Sequence, residues 1–168
     1  MSLPLRLGLA TALLPAQLAA AAPVDVDVPK AFATVLPDVK AKTVVPILLP
    51  DTMPYDAVQL FADGGARARR WSLSLASVED CGNATACFVA QFSARRGAKP
   101  YGRRKVRLRG GRTGYYQPLS CGASCAPPSI SWRQHGAAYV FQANVGTKRT
   151  ERRILIRMAN QAIRAGRR

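Results

Sequence analysis

The chain has 168 residues, 48% hydrophobic and 20% charged, with 25 Lys+Arg against 9 Asp+Glu and a formal net charge of +16. That composition is ordinary for a globular protein. A single His and few carboxylates leave little material for a His-rich metal centre or a paired-carboxylate site.

In chain order, Arg6 is followed by an apolar run over 7–18 and by the alanines of 19–22. A basic start, a short apolar stretch and a small-residue cleavage zone are the three parts of a secretory signal peptide. The run falls short of the roughly 20 apolar residues a membrane span needs. Residues 1–22 therefore read as a signal peptide, and the protein as periplasmic or secreted. Processing would leave about 146 residues, enough for one domain with its own core, and no transmembrane segment.

Six prolines fall between 23 and 54, removing backbone donors and biasing neighbours toward extended conformations. They make 23–42 a Pro-rich, flexible or extended leader and begin the single domain, 43–168. Residues 44–49 read as an edge strand interrupted by Pro46. A strand over 57–62 is then ended by the turn signal Asp63-Gly64-Gly65.

Period-two alternation sets the next elements. Trp71, Leu73 and Leu75 alternate with Arg70, Ser72 and Ser74, and Phe88, Ala90 and Phe92 continue the pattern over 87–93. Over 105–109, Val106 and Leu108 point inward while Lys105, Arg107 and Arg109 point out, and 115–117 returns after Gly110, Gly111 and Gly114. Strands at 129–133 and 138–145 form a hairpin through Gln134-His135-Gly136.

The period then becomes helical. Leu155, Met158, Ala159, Ala162 and Ile163 share one face, with Arg153, Arg157 and Arg164 opposite. Thr150 is placed as N-cap and Gly166 as the stop. These elements predict an α+β domain: a twisted antiparallel sheet with one C-terminal amphipathic helix, 150–165, packed on a face. A β-sandwich with a peripheral helix is the alternative. The expected core is Trp71, Leu73, Leu75, Phe88, Phe92, Val106, Leu108, Ile130, Trp132, Tyr139, Phe141, Leu155, Met158 and Ile163.

Four cysteines in an exported chain point to disulfides. Two close pairs favour local closure, Cys81–Cys87 and Cys121–Cys125. Zinc at Cys121-x3-Cys125 is the rival; Cys81-x5-Cys87 is no usual zinc knuckle, and export favours oxidation. No metal and no cofactor is expected.

The charge is unevenly placed. Residues 1–94 hold 7 basic and 8 acidic side chains, whereas 95–168 hold 18 basic ones and the single acid Glu151. Nine of those cations fall within 95–112, with Tyr101, Tyr115 and Tyr116 nearby. Basic groups interleaved with aromatics can bind phosphates or stack bases, although export argues against nucleic acid and for anionic envelope polymers or lipid headgroups. Lys105, Arg107, Arg109 and Arg112 are the expected anion contact. Catalysis finds little support. Ser124 lacks the second glycine of a nucleophile elbow, and His135 reads as a hairpin tip. There is no phosphate-cradling loop or dinucleotide fingerprint.

From Asp80 onward the run Cys81-Gly-Asn-Ala-Thr-Ala-Cys87-Phe88, Gly114-Tyr-Tyr116, Pro118, Cys121-Gly-Ala-Ser-Cys125-Ala-Pro127, Ile130-Ser-Trp132, Gly136, Tyr139 and Met158-Ala159-Asn160 resembles a group of exported bacterial proteins, cyanobacterial and proteobacterial, with one disulfide-stapled domain of unassigned function. The Trp…Gly…Tyr hairpin before a helix is also similar to extracytoplasmic sensor domains that accompany anti-sigma factors. The high Arg content departs from the first group. The expected function is a non-catalytic envelope binding module. The alternative is a sensory or regulatory domain docking on an envelope protein through the Cys121–Cys125 loop, Trp132 and Tyr139.

The cysteine pattern yields a direct expectation. Peptide mapping without reduction should find Cys81 joined to Cys87 and Cys121 to Cys125, with no free thiol. Each bridge closes a small loop, so its loss should lower stability by about 2 kcal/mol and leave a folded domain.

Overall fold

The computed structural model describes residues 24–55, 59–82 and 84–168. The segment 1–22, expected as a signal peptide, lies outside the described residues, as do 57 and 58 of the strand expected over 57–62.

The N-terminal part departs from the expected leader. Strand β1 (Asp25–Asp27) leads into helix α1 (Val28–Ala31), helix α2 (Leu36–Lys42) and strand β2 (Thr52–Pro54), which pairs antiparallel with β1. Prolines occupy the first turns of both helices, where a missing N–H costs no hydrogen bond. Val28, Phe32 and Val39 are fully buried, so this segment is part of the domain core rather than a leader. The expected edge strand over 44–49 is instead an irregular segment with Val45, Ile47, Leu48 and Leu49 buried.

Seven antiparallel strands follow in one sheet: β3 (Phe61–Arg67), β4 (Arg70–Ala76), β5 (Phe88–Arg96), β6 (Arg104–Arg107), β7 (Thr113–Gln117), β10 (Ser129–Gln134) and β11 (Ala137–Ala143). Two short strands, β8 (Ser120–Cys121) and β9 (Cys125–Ala126), form a separate ladder. The spatial order of the main sheet is β3-β4-β5-β11-β10-β7-β6. Helix α3 (Glu151–Ala165) closes the fold. The architecture is α+β, with one seven-stranded main sheet beside two two-stranded ladders rather than the two large stacked sheets of a sandwich.

The Asp63-Gly64-Gly65 run makes no turn; it lies inside β3. A Cβ on Gly64 would stand 2.6 Å from Leu73 Cδ2 and 3.1 Å from Val39 Cγ2. The glycine serves the close approach of α2 to the sheet, a long-range requirement that imitates a turn signal in the sequence. The β10–β11 hairpin, by contrast, turns where expected, with His135 (φ 50°) and Gly136 (φ 73°) both left-handed as a two-residue connection demands.

One face of the sheet carries the core. Trp71, Leu73, Leu75, Phe92, Val106, Leu108, Ile130, Trp132, Tyr139 and Phe141 are buried there with Leu155 and Met158 of α3, while Phe88 and Ile163 are half-buried. Aromatic rings run through it in sequence. Phe32 meets Phe92 at 5.9 Å, Phe92 meets Phe141 at 4.9 Å, and Phe141 meets Trp132 at 4.8 Å, all edge-on. Trp132 stacks on Tyr139 at 5.4 Å, and Tyr139 meets Trp71 at 6.3 Å. Tyr139 Oη and Trp71 Nε1 both donate to the Pro46 carbonyl, at 2.9 and 3.3 Å, tying the irregular segment to the sheet.

Burial pushes the Tyr139 phenol up to about 12, against a small opposing pull from Arg167. The folded state therefore keeps a proton that the unfolded chain releases near its ordinary pKa of about 10. That contribution is complete below about pH 10 and is lost as the pH rises toward the folded pKa. Replacing Tyr139 with Phe should cost about 1 kcal/mol at neutral pH through the lost hydrogen bond. It should also flatten the alkaline fall in stability, as followed by denaturant titration from pH 7 to 11.

Candidate anion-binding surface

The basic stretch folds so that its members diverge. On β6, Val106 faces the core while Lys105 and Arg107 stand exposed on the opposite face of an edge strand. The chain then enters a single 3-10 turn, Arg109–Gly111. Arg109 N–H donates to Asn160 Oδ1 of α3 at 2.7 Å, and Arg112 Nη1 donates to the Arg109 carbonyl at 3.1 Å. The expected quartet is thus two pairs: Lys105 and Arg107 on the open face, Arg109 and Arg112 in the turn that meets α3 at Asn160.

Arg109 joins a group that the reading of 105–112 leaves out. With Arg153, Arg157 and Arg164 it lines a shallow cleft of about 490 Å³ floored by Ile156, Asn160 and Gln161. The three helix arginines recur one turn and then two turns apart, which puts them on the ridge opposite the buried stripe of Leu155, Met158, Ala159 and Ala162. That spacing is visible in the sequence; their meeting with Arg109 depends on the Asn160 contact and is not.

The acids explain why this surface is so uniformly positive. Glu151, the sole acid of 95–168, is 7% exposed, and its Oε1 accepts from Tyr116 Oη at 2.5 Å. Burial first, and then the neighbouring carboxylate, raise the Tyr116 phenol well above its usual value. Among the described residues, carboxylate partners are recorded only for Lys42 with Asp38 and for Arg164 and Arg168 with Asp51. Asp51 lies just before β2, so this last pair clamps the C-terminal end of α3 to the N-terminal segment. Gln161 adds to the clamp through the Thr52 N–H and hydroxyl, at 3.3 Å each.

Cys81 is bonded to Cys87 in the β4–β5 connection, and Cys121 to Cys125 across the β8–β9 ladder, with no free cysteine. The β8–β9 tip is exposed, Ser124 included, and His135 is exposed at its hairpin. Trp132 and Tyr139, expected as docking residues, are both fully buried. Their rings alternate onto the core face of β10 and β11, so they offer no surface to a partner. No family model, curated protein or solved structure matches the chain.

The Asp51 clamp makes stability depend on acid. Burial alone would raise this carboxyl, but the hydrogen bonds and charges of Arg164 and Arg168 outweigh it and hold the pKa below the ordinary carboxylate value. The clamp is therefore complete above the unfolded pKa of about 3.9 and is lost as the pH falls through the lower folded value. Asp51→Asn should cost about 1 kcal/mol at pH 7, since the pair is half-exposed, and less at about pH 2, where protonation of the carboxyl has begun to remove the clamp from the parent protein. Urea titrations at the two pH values read the difference.

Proposed function

We propose that this protein is an exported, non-catalytic binding module of the cell envelope that holds anionic polymers or lipid headgroups through the basic surface of residues 95–168. The observation that carries the reading is the inward position of Glu151. With that carboxylate turned into the core, the other 18 charged side chains of the segment are all Lys or Arg. A one-sign field of this extent raises the local concentration of polyanions and speeds their encounter.

Export is supported by the basic-apolar-small pattern of 1–22 and by the two disulfides, which persist in oxidising compartments. A non-catalytic role is supported by the scatter of reactive residues. Ser124 stands on the β8–β9 tip, and His135 is on the β10–β11 turn with the Gln134 side chain as its hydrogen-bond neighbour. The cations spread over an edge strand, a turn and a helix ridge, which suits an extended charged partner better than a small anion.

Sedimentation with vesicles of phosphatidylglycerol in phosphatidylcholine tests the reading. Binding should be strong at about 0.01 M salt and nearly absent at about 1 M, where the Debye length has fallen from about 30 to about 3 Å. Replacing Lys105, Arg107, Arg109 and Arg112 together with Gln should lower the low-salt affinity about tenfold or more. Binding that survives high salt, or is indifferent to those four residues, would refute it.

A further inference from the structure

We infer that the open face of the sheet holds a separate site, a groove that takes an anionic carbohydrate chain between a row of arginines and Tyr101. The inference rests on the anion-binding reading, but it names a ligand class and uses different residues.

Strand register creates the groove. Gly65, Ser72, Ser93 and Val140 lie directly opposite one another on β3, β4, β5 and β11 and form a floor of short side chains. One row along, Arg67 opposes Arg70 and Arg70 opposes Arg95, all on the same face and all exposed. The far wall is the loop after β5, with Lys99 and Tyr101. The cavity between them measures about 680 Å³.

Three observations point to a ligand here. Like charges directly opposite on neighbouring strands destabilise a sheet, so an unrelieved row of three arginines is a standing cost. Among the described residues, no ion pair with a carboxylate is recorded for Arg67, Arg70, Arg95 or Lys99. Asp63, two residues along β3 from Gly65, borders a different cavity. Finally, Tyr101 is 55% exposed, the one aromatic among the large exposed hydrophobics. Its backbone is nevertheless held: Ser131, fully buried, accepts the Tyr101 N–H at 2.8 Å and donates to the Tyr101 carbonyl at 2.6 Å.

The chemistry selects the occupant. Arginines one strand apart, at about 4.8 Å spacing, suit closely spaced sulfates, phosphates or carboxylates and bind them with paired donors. Two floor hydroxyls can meet sugar hydroxyls, and the exposed Tyr101 ring, on a backbone held by Ser131, offers a flat face to the C–H side of a pyranose. A nucleic-acid strand is tracked by aromatics that stack successive bases, and this groove has one.

Calorimetry with a short heparin oligosaccharide and with oligogalacturonate, and with oligo-dT as the competing class, tests the site. The full mature chain should bind the two sugars. Arg70→Gln with Arg95→Gln should weaken them about tenfold or more, and Tyr101→Ala about fivefold with an unchanged salt slope. The double arginine variant should melt at a higher temperature, since it relieves like-charge repulsion, and this separates lost binding from lost folding. Lys30→Gln with Lys40→Gln, two exposed cations outside both residues 95–168 and the groove, is the charge-matched control. If it weakens the sugars as much as the arginine pair does, binding is a diffuse field and the groove is refuted while the envelope reading stands. The groove is equally refuted if Tyr101→Ala changes nothing, if the vesicles bind but neither sugar does, or if oligo-dT binds more tightly than both. If neither vesicles nor sugars bind, both proposals fall.

Discussion

The Pro46 carbonyl receives two side-chain hydrogen bonds, from Tyr139 and Trp71, and through them the irregular segment 43–50 is held against the sheet. This segment has no strand ladder to satisfy its backbone, and it carries four buried apolar side chains. Buried backbone groups need partners, and here they come from distant parts of the chain: Ala68 accepts the Val44 N–H, and Ile47 accepts from Arg168. Tyr139 is central because its ring stacks on Trp132 while its hydroxyl reaches the segment. One residue therefore couples the sheet, the aromatic row and the N-terminal layer that α3 closes over.

That closure also determines the electrostatics. Packing α3 on β10 and β11 requires its first residue, Glu151, to enter the core, where Tyr116 supplies the hydrogen bond that a buried carboxylate needs. The same packing sends Arg153, Arg157 and Arg164 outward beside Arg109. The fold thus removes the one negative charge of the second half from the surface and gathers positive ones there. On the opposite face, the β3–β4 hairpin pairs Arg67 with Arg70 locally, and the β4–β5 register adds Arg95 from 25 residues further along.

Much of the sheet was legible. Strands β4, β5, β7, β10 and β11 and helix α3 follow hydrophobic period, and the periods of two and of 3.6 are properties of the local backbone. The turn at His135-Gly136 is local too. Four misreadings share a cause. Gly64 and Gly65 look like a turn because the sequence does not show Val39 approaching Gly64. Prolines over 23–54 look like a leader because their positions at helix starts become neutral only once the helices exist. Residues 44–49 look like a strand because the burial of Val45, Ile47, Leu48 and Leu49 is indistinguishable in sequence from strand patterning. Trp132 and Tyr139 look like a docking pair because aromatic residues mark interfaces and cores alike.

The sequence by itself determined the composition of the charge, the cysteine pairing by proximity, the strand and helix periods, and hence the fold class. These depend on spacing within a few residues, where chain geometry leaves few choices. Only the tertiary structure decided which cations meet, where Glu151 goes and what the N-terminal segment becomes. Those outcomes depend on contacts between residues tens to more than a hundred positions apart, such as Thr52 with Gln161 and Asp51 with Arg168. Such contacts are chosen by how the layers pack as a whole, and no window of sequence contains that information.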